Sequence, residues 1–163
     1  MQQTAVGTAL IARGETITSA ESLTAGLFAS TLAEVSGISA VLPGAFVTYA
    51  ASAKTQLVGV APALIAQDGV VSASVAMAMA QGAKAALQTD WAVSFTGVAG
   101  PDALEGHPAG TVFIGMAAPD GTVIAQEYHF AGDRQAVRLA SVQAGFALIM
   151  AKIATLPVRE KNN

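Results

Sequence analysis

The order of apolar and polar positions along the chain predicts helices that alternate with short strands. Apolar residues recur at helical spacing in several segments, and the clearest of these begins at Ser72, a residue type that favours the N-cap position. Alternating or β-branched and aromatic runs predict the strands. The predicted helices are 4–13, 24–35, 51–58, 61–67, 72–87 and 133–154, and the predicted strands are 15–19, 44–49, 91–96, 111–118 and 122–130.

The order of these elements indicates an α/β fold. Pro119-Asp120-Gly121 is typical of a hairpin turn, so the last two strands are expected to be antiparallel. Strands separated by helices favour a sheet covered on both faces. We therefore predict a three-layer α/β/α sandwich on a mixed sheet, with a single domain over 1–156 and a polar tail at 157–163.

Composition excludes several classes of protein. Apolar residues make up 53% of the chain and charged residues 12%, which excludes a disordered chain. The absence of cysteine excludes disulfide scaffolds, thiol catalysis and Cys-ligated zinc. His107 and His129, the only histidines, lie far apart in the sequence and outside any HExxH pattern. We therefore predict no metal site and no cofactor.

Charge and hydropathy limit the partners and the location. With a net charge of −3 and scattered Lys and Arg residues, the chain lacks the basic cluster that nucleic-acid binding needs. The first 14 residues lack a basic region ahead of their apolar stretch. The charge-free run at 35–53 contains Gly37, Pro43 and Gly44, which makes it a poor membrane span. We expect a soluble, cytoplasmic protein without nucleic-acid or membrane partners.

Hydroxyl and carboxylate side chains gather between the first predicted strand and the second predicted helix, at residues 18–24 (TSAESLT). One interpretation is a capping segment, in which Ser22 or Glu21 satisfies the free amides of the helix. The other is a serine nucleophile or an anion site at a helix N-terminus, where the helix dipole favours negative charge. The residues alone leave both open.

A second group of side chains that could carry chemistry follows the strand at 44–49. Tyr49 and Lys54 lie in a run that is otherwise free of ionisable groups. A desolvated lysine has a lowered pKa and can take a proton from a serine, with a tyrosine hydroxyl relaying or orienting it. A lysine whose ammonium reaches water is the alternative.

Two further segments are candidates for binding an anion. The loop at 96–101 (TGVAGP) follows a buried-type strand, and its glycines allow backbone amides to approach a phosphate, although a tight turn fits equally well. Arg134 and Arg138 lie one helical turn apart and could together hold a phosphate, or could lie on a solvated face.

Taken together, these segments resemble the C-terminal domain family of competence/damage-inducible protein A (CinA), which includes stand-alone nicotinamide-nucleotide amidohydrolases. The resemblance covers nearly the whole chain, in the family's order, and the chain looks like the stand-alone form. The matching stretches are TSAESLTAGLFASTL (18–32), FVTYAASAKTQLVGV (46–60), DGVVSASVAMAMAQGA (68–83), VSFTGVAGPD (93–102), PAGTVFIG (108–115) and FAGDRQAVR (130–138).

The resemblance implies hydrolysis of the carboxamide of nicotinamide mononucleotide to nicotinic acid mononucleotide and ammonia, without a metal. It places the family's serine, tyrosine and lysine on Ser22, Tyr49 and Lys54. Ser22 would attack the amide carbon, and Lys54, assisted by Tyr49, would take its proton. Donors near the start of the helix after Ser22 would stabilise the oxyanion. The expected substrate-binding residues are Glu21, Thr24, Thr96, Gly97, Ala99, Gly100 and Arg134. The resemblance also implies a homo-oligomer, a dimer or larger.

Three segments depart from the family's usual pattern. Ala50-Ala51 replaces the Ser-Asn pair that usually follows the tyrosine, Thr24-Ala25-Gly26 stands where the family has Thr-Gly-Gly, and residues 102–106 (DALEG) replace a loop with paired glycines. Leu104 and Glu105 are expected to change the shape of a phosphate site and to add a repelling charge. These departures favour an alternative, a divergent paralogue that binds a phosphorylated ligand with little or no hydrolysis. A third hypothesis, an interaction module for DNA uptake or repair, depends only on the family's name.

Overall fold

A computed structural model of the chain describes residues 1–157 and shows a five-stranded mixed sheet between two layers of helices. The helices are α1 (Gln2–Arg13), α2 (Leu27–Leu32), α3 (Ala51–Val58), α4 (Pro62–Asp68), α5 (Ala73–Leu87) and α6 (Arg134–Ile153), with a 3-10 turn at Ile38–Ala40. The strands are β1 (Ile17–Glu21), β2 (Phe46–Val47), β3 (Trp91–Gly97), β4 (Thr111–Ala117) and β5 (Val123–His129). The predicted α/β/α sandwich is confirmed. Most of the predicted tail, residues 158–163, lies outside the described residues.

The sheet has the strand order β2-β1-β3-β4-β5. β1 runs parallel to both β2 and β3, whereas β4 is antiparallel to β3 and to β5. The helices α1, α2 and α6 cover one face of the sheet, and α3, α4 and α5 cover the other. Every residue of β1 and β4 is buried, as both faces of a covered sheet require.

The main core lies between the sheet and the layer formed by α1, α2 and α6. Phe28 packs against Phe95 and Phe146 there, with ring centroids 5.4 and 4.5 Å apart. Gly145 gives Phe95 the room it needs, since a Cβ at that position would overlap its ring. A second cluster under α5 is built mostly from smaller side chains such as Val75, Ala80 and Ala83, which let α5 lie close to the sheet.

Several predicted helix ends are confirmed by their caps. Gly14 ends α1 with a φ of 62°, a backbone conformation that glycine adopts without steric cost. The Ser72 hydroxyl accepts a hydrogen bond from the Val75 amide at 3.3 Å and begins α5. The Asp133 carboxylate accepts one from the Ala136 amide at 2.9 Å and begins α6.

The first half of the chain departs from the prediction in three places. The strand predicted at 15–19 lies at Ile17–Glu21, because its polar side chains are buried and bonded rather than alternating with solvent. The helix predicted at 24–35 is reduced to Leu27–Leu32, since Ala25 and Gly26 have φ values of 47° and 94° that a helix excludes. The strand predicted at 44–49 pairs with β1 at only two positions, Phe46 and Val47.

Within residues 1–157, one helix, α6, is long and apolar enough to meet the length and composition criteria for a membrane span, which core helices of soluble proteins also meet. Here its apolar side covers β3 and β4 and carries buried residues such as Phe146 and Ile149. The helix is therefore accounted for as a core helix.

Candidate functional site

A cavity of about 440 Å³ opens where the parallel strands β1 and β3 end. The carboxyl ends of neighbouring parallel strands lie at one edge of a sheet, which is where α/β proteins commonly bind ligands. The cavity is lined from four directions: by Ser22 and Leu23, by Tyr49 and Lys54, by Val70 and Val71, and by residues 96–104 together with Arg134.

Ser22 and Lys54 meet on the wall of this cavity. Ser22 directly follows β1, and its backbone amide donates to Phe95 O of β3 at 2.9 Å, which fixes it at the strand end. Lys54 lies on α3, and its Nζ is 3.2 Å from Ser22 Oγ. The serine and lysine that the sequence placed 32 residues apart are therefore in hydrogen-bonding contact.

The surroundings of Lys54 make its neutral form easier to reach than that of an ordinary lysine. The side chain is 1% exposed, and its Nζ donates to Thr48 O at 2.7 Å and to Tyr49 O at 3.3 Å. Among residues 1–157, no carboxylate forms an ion pair with it. Desolvation lowers the pKa of Lys54 to about 8, and the charge of Glu105 opposes this in part. The alternative of a solvated ammonium is therefore wrong.

Three oxygens surround Lys54 Nζ within hydrogen-bonding distance. Nζ donates to Thr48 O, Tyr49 O and Ser22 Oγ, a set that satisfies the three hydrogens of an ammonium. The Ser22 hydroxyl in turn donates to Tyr49 O at 3.4 Å. When Nζ loses the hydrogen that faces Ser22 Oγ, the lone pair of the neutral amine takes its place, and a proton can then pass from the serine to the lysine.

Tyr49 contributes differently from what the sequence predicted. The structure does not bring its hydroxyl to Lys54. The side chain is 55% exposed, and its hydroxyl forms a hydrogen bond with Arg134 Nη2 at 2.8 Å. Because the tyrosine lies at the end of an edge strand, its ring points outward over the cavity mouth while its backbone carbonyl faces Lys54. Tyr49 therefore contacts Lys54 through its backbone carbonyl and not through its hydroxyl.

The side chains of Arg134 and Arg138 have different partners, although the two residues lie one turn apart on α6. Arg134 lines the cavity and donates to Gly100 O at 2.7 Å. Arg138 donates to Leu23 O at 2.9 Å and to Thr24 O at 3.0 Å, and so braces the turn that carries Ser22. The prediction that the two arginines could clamp one anion is wrong, and Arg134 remains the cation at the cavity.

The loop after β3 forms the floor and one side of the cavity, as the sequence indicated. Thr96, Gly97, Ala99 and Gly100 all line it. Thr96 is buried, and its hydroxyl donates to Val70 O at 2.6 Å. Gly97 packs so closely on β4 that a Cβ would overlap Thr111 O. The glycine at this position therefore lets β3 pack closely on β4, and it also lies on the cavity wall.

Glu21 and Thr24 lie outside the cavity, although the sequence placed both in the binding site. The buried Glu21 carboxylate accepts hydrogen bonds from the amides of Phe28 and Ala29, at 2.9 and 3.1 Å, and from Ser19 Oγ at 3.0 Å. The capping interpretation thus holds for Glu21. Because Glu21 occupies these amides and α2 begins at Leu27, the start of α2 is not the source of oxyanion donors that the sequence suggested.

Sequence reasoning missed the wall formed by Val70 and Val71, and it missed the contacts of Glu105. The Glu105 carboxylate accepts hydrogen bonds from the amides of Val70 and Val71, at 3.1 and 3.0 Å. No local pattern links these residues, which lie more than 30 positions apart. The expected repelling charge of Glu105 is thus directed at backbone amides, whereas Asp102 and Leu104 line the cavity.

Within residues 1–157, no group of three or more His, Asp or Glu side chains is arranged to hold a metal ion. The polar groups at the cavity are one amine, hydroxyls, one guanidinium and one carboxylate. This donor set fits a nucleophile, a base and an anion contact.

Comparison with known proteins gives a consistent assignment. The family described as the CinA C-terminal domain matches residues 1–153. A competence-damage inducible protein of Lactiplantibacillus plantarum is 59% identical over 140 residues, which are 86% of this chain and 33% of that protein. One of Levilactobacillus brevis is 59% identical over 136 residues, 83% of this chain and 33% of that protein. The chain thus spans about a third of the length of these curated relatives.

Solved structures agree with this assignment. A CinA superfamily protein from Klebsiella pneumoniae superposes with a TM-score of 0.92 at 33% identity, covering 95% of this chain and 97% of that one. The competence/damage inducible protein from Agrobacterium tumefaciens superposes with a TM-score of 0.86 at 32% identity, covering 93% and 95% of the two chains.

Proposed function

The chain belongs to the CinA C-terminal domain family, and from that premise we propose that it hydrolyses the carboxamide of nicotinamide mononucleotide, giving nicotinic acid mononucleotide and ammonia. The observation that carries the proposal is the contact between Ser22 Oγ and the buried Lys54 Nζ, 3.2 Å apart, with no carboxylate pairing with the lysine in the described part of the chain. A serine beside a neutral amine is an activated nucleophile.

In the proposed reaction Lys54 acts as the general base and then as the general acid. Neutral Lys54 takes the Ser22 proton while Oγ bonds to the carboxamide carbon, and the resulting ammonium donates that proton to the departing ammonia. Water then attacks the acyl-serine ester and loses a proton to Lys54, and Ser22 regains its hydrogen as the acid product leaves. A pKa of about 8 suits both roles near neutral pH.

The cavity also offers a place for the phosphate of the substrate. Arg134 Nη1 and Nη2 are held by Gly100 O and the Tyr49 hydroxyl, and none of the described carboxylates forms an ion pair with this guanidinium. The guanidinium is therefore fixed in position with its charge unneutralised. A phosphate at the mouth would meet Arg134 while the carboxamide reaches Ser22, and a volume of about 440 Å³ accommodates a ligand of this class.

A second candidate is a divergent paralogue that binds a phosphorylated ligand with little hydrolysis. One observation favours it: the Tyr49 hydroxyl bonds to Arg134 rather than to Lys54, so the proton relay expected of the tyrosine is not assembled. The two candidates share a ligand and differ in turnover.

Ammonia release from nicotinamide mononucleotide tests the proposal, with Ser22→Ala and a matched Ser30→Ala control. Ser30 is exposed on α2. We expect the wild type and Ser30→Ala to release ammonia equally, and Ser22→Ala to lose about 10³-fold or more. Thermal unfolding confirms that each variant folds. Equal turnover by Ser22→Ala would overturn the assignment, and calorimetric binding without turnover by the wild type would favour the paralogue.

A further inference from the structure

The segment between β3 and β4 folds back on itself at Glu105. Leu104 and His107 exchange backbone hydrogen bonds of 3.0 and 2.8 Å, and the residues between them have φ values of 52° at Glu105 and 78° at Gly106. Two central residues with positive φ are typical of a type I′ turn, where Asn, Asp or Gly is usual at the first position. A glutamate there is held in a backbone conformation that few non-glycine residues adopt.

The side chain of Glu105 compensates for this backbone conformation through contacts with a distant segment. Its two carboxylate oxygens accept hydrogen bonds from Val70 and Val71, one amide each, at 3.1 and 3.0 Å. Gly69 makes room for it, since a Cβ at that position would overlap the carboxylate. Both the turn and the glycine thus fit a glutamate that reaches across to these amides.

These hydrogen bonds join two walls of the cavity. Val70 and Val71 form one wall, and the segment that carries Leu104 forms the next. Both backbone polar groups of Val70 are hydrogen-bonded, because its amide donates to Glu105 and its carbonyl accepts from Thr96 Oγ1 at 2.6 Å. Releasing Glu105 would leave the wall held by the Thr96 hydrogen bond and by the packing of Val71 in a cluster with Val98 and Phe113.

We propose that Glu105 is a positioning residue for the cavity, fastening the wall at Val70 and Val71 to the segment that carries Leu104. The proposal rests on the proposed function, since the wall that Glu105 fastens belongs to the cavity in which that reaction would take place. Glu105 touches neither Ser22 nor the space where a substrate would react.

Electrostatics links the same residue to Lys54 and supports a role at the cavity. The titratable side chains on the cavity wall besides Lys54 are Tyr49, Asp102 and Arg134. Glu105 is the group whose charge raises the pKa of Lys54 against the larger effect of desolvation. Without that charge the pKa of Lys54 would fall further below 8, and more of the lysine would be neutral at a given pH.

Two variants distinguish the effect of the Glu105 hydrogen bonds from the effect of its negative charge. Glu105→Gln keeps the length of the side chain but removes the charge and one of the two acceptors, whereas Glu105→Asp keeps the charge and is one methylene too short for the amides. Glu127→Gln on β5, an exposed strand at the far edge of the sheet, removes the same charge and is the control. The Lys54 pKa is read from the ¹³Cε shift of its side chain, and wall closure from amide exchange at Val70 and Val71.

In Glu105→Gln we expect a lower Lys54 pKa and about tenfold faster exchange at one or both amides. In Glu105→Asp we expect faster exchange at both amides and a smaller change of the pKa. Glu127→Gln should change neither. Wild-type exchange at Val70 and Val71 in both Glu105 variants would overturn the proposal.

Both readouts are independent of turnover, so the two proposals fail separately. If the wild type releases no ammonia while the Glu105 variants shift the pKa and the exchange, the proposed function fails and the positioning role stands. If the wild type is active, the acidic limb of kcat/KM should move to lower pH in Glu105→Gln. If the acidic limb of kcat/KM in Glu105→Gln stays at the wild-type pH, Glu105 has only a structural role.

Discussion

Glu15 and Lys54 are both buried ionisable side chains, and they lie at opposite ends of the same pair of strands. Each is 1% exposed. Glu15, at the amino ends of β1 and β3, accepts hydrogen bonds from Arg13 Nε at 3.0 Å and Trp91 Nε1 at 2.8 Å. Lys54, at the carboxyl ends, has two carbonyls and a serine hydroxyl around it.

The difference teaches how a fold separates a structural charge from a reactive one. The Glu15 carboxylate has a cation beside it, so its charge contributes to a closed network. Lys54 has only dipoles within hydrogen-bonding distance, and burial lowers the pKa of its amine. Removing the Glu15 carboxylate should therefore lower the free energy of unfolding, and removing the Lys54 amine should lower the activity.

The largest expected effect comes from removing the amine. Lys54→Met keeps the length and apolar stem of the side chain and deletes the base, so we expect amide hydrolysis to fall about 10³-fold or more. Folding should not suffer, because burying a thioether costs less than burying an amine. Ammonia release and thermal unfolding of the same sample measure both effects. A variant with lost activity and an equally lowered Tm would remove the contrast with Glu15.

The next effect comes from the opposite end of the strands. Glu15→Ala leaves the Arg13 guanidinium and the Trp91 indole without this acceptor, so we expect a loss of about 3 kcal/mol in the free energy of unfolding. Activity per folded molecule should stay at the wild-type level, since the cavity is at the other end of the sheet. Urea unfolding gives the first quantity, and turnover in the absence of urea gives the second. Unchanged stability would contradict the structural role.

The third effect is a pH dependence that Lys54 should give to both stability and activity. Its folded pKa of about 8 lies below the ordinary value of 10.5. Between these values the unfolded chain binds more protons, so this group's contribution to the free energy of unfolding rises with pH from about 8 to 10.5. Below pH 8, kcat/KM should fall about tenfold per pH unit.

Urea unfolding of the wild type and Lys54→Met across that window isolates the contribution of the lysine. The wild type should gain stability relative to the variant as pH rises through the window. Parallel curves would mean that the lysine is charged in the folded state, and the comparison with Glu15 would then fail.

The elements of this fold were predictable where a side chain signals its own local structure. Gly14, Ser72 and Asp133 mark helix ends through their own backbone conformation or hydrogen bonds, and the structure confirms all three. The start of α2 was not predictable in this way. It depends on Glu21, which reaches from the end of β1 to amides seven and eight residues later.

The candidate site likewise has a part that was predictable from the sequence and a part that was not. Ser22 and Lys54 stood out as polar groups in an apolar chain, and the structure brings them together. The direction of the Tyr49 hydroxyl and the partners of Glu105 depend on contacts across 85 and about 35 residues. Such contacts follow from the assembled sheet, so composition and spacing carry no signal for them.

Because β2 is short, the contact between Ser22 and Lys54 depends on whether this edge of the sheet stays paired. Lys54 and the two carbonyls that hold its amine belong to one continuous stretch, whereas Ser22 belongs to β1. The two are joined by a ladder of two residue pairs and by the hydrogen bond from the Thr48 amide to Glu21 O. Fraying of this edge would carry the base and its acceptors away together, and the serine left behind would be an ordinary alcohol. Under the proposed function, the Ser22–Lys54 pair exists only while this edge is closed, and a molecule with the edge open would not hydrolyse the carboxamide.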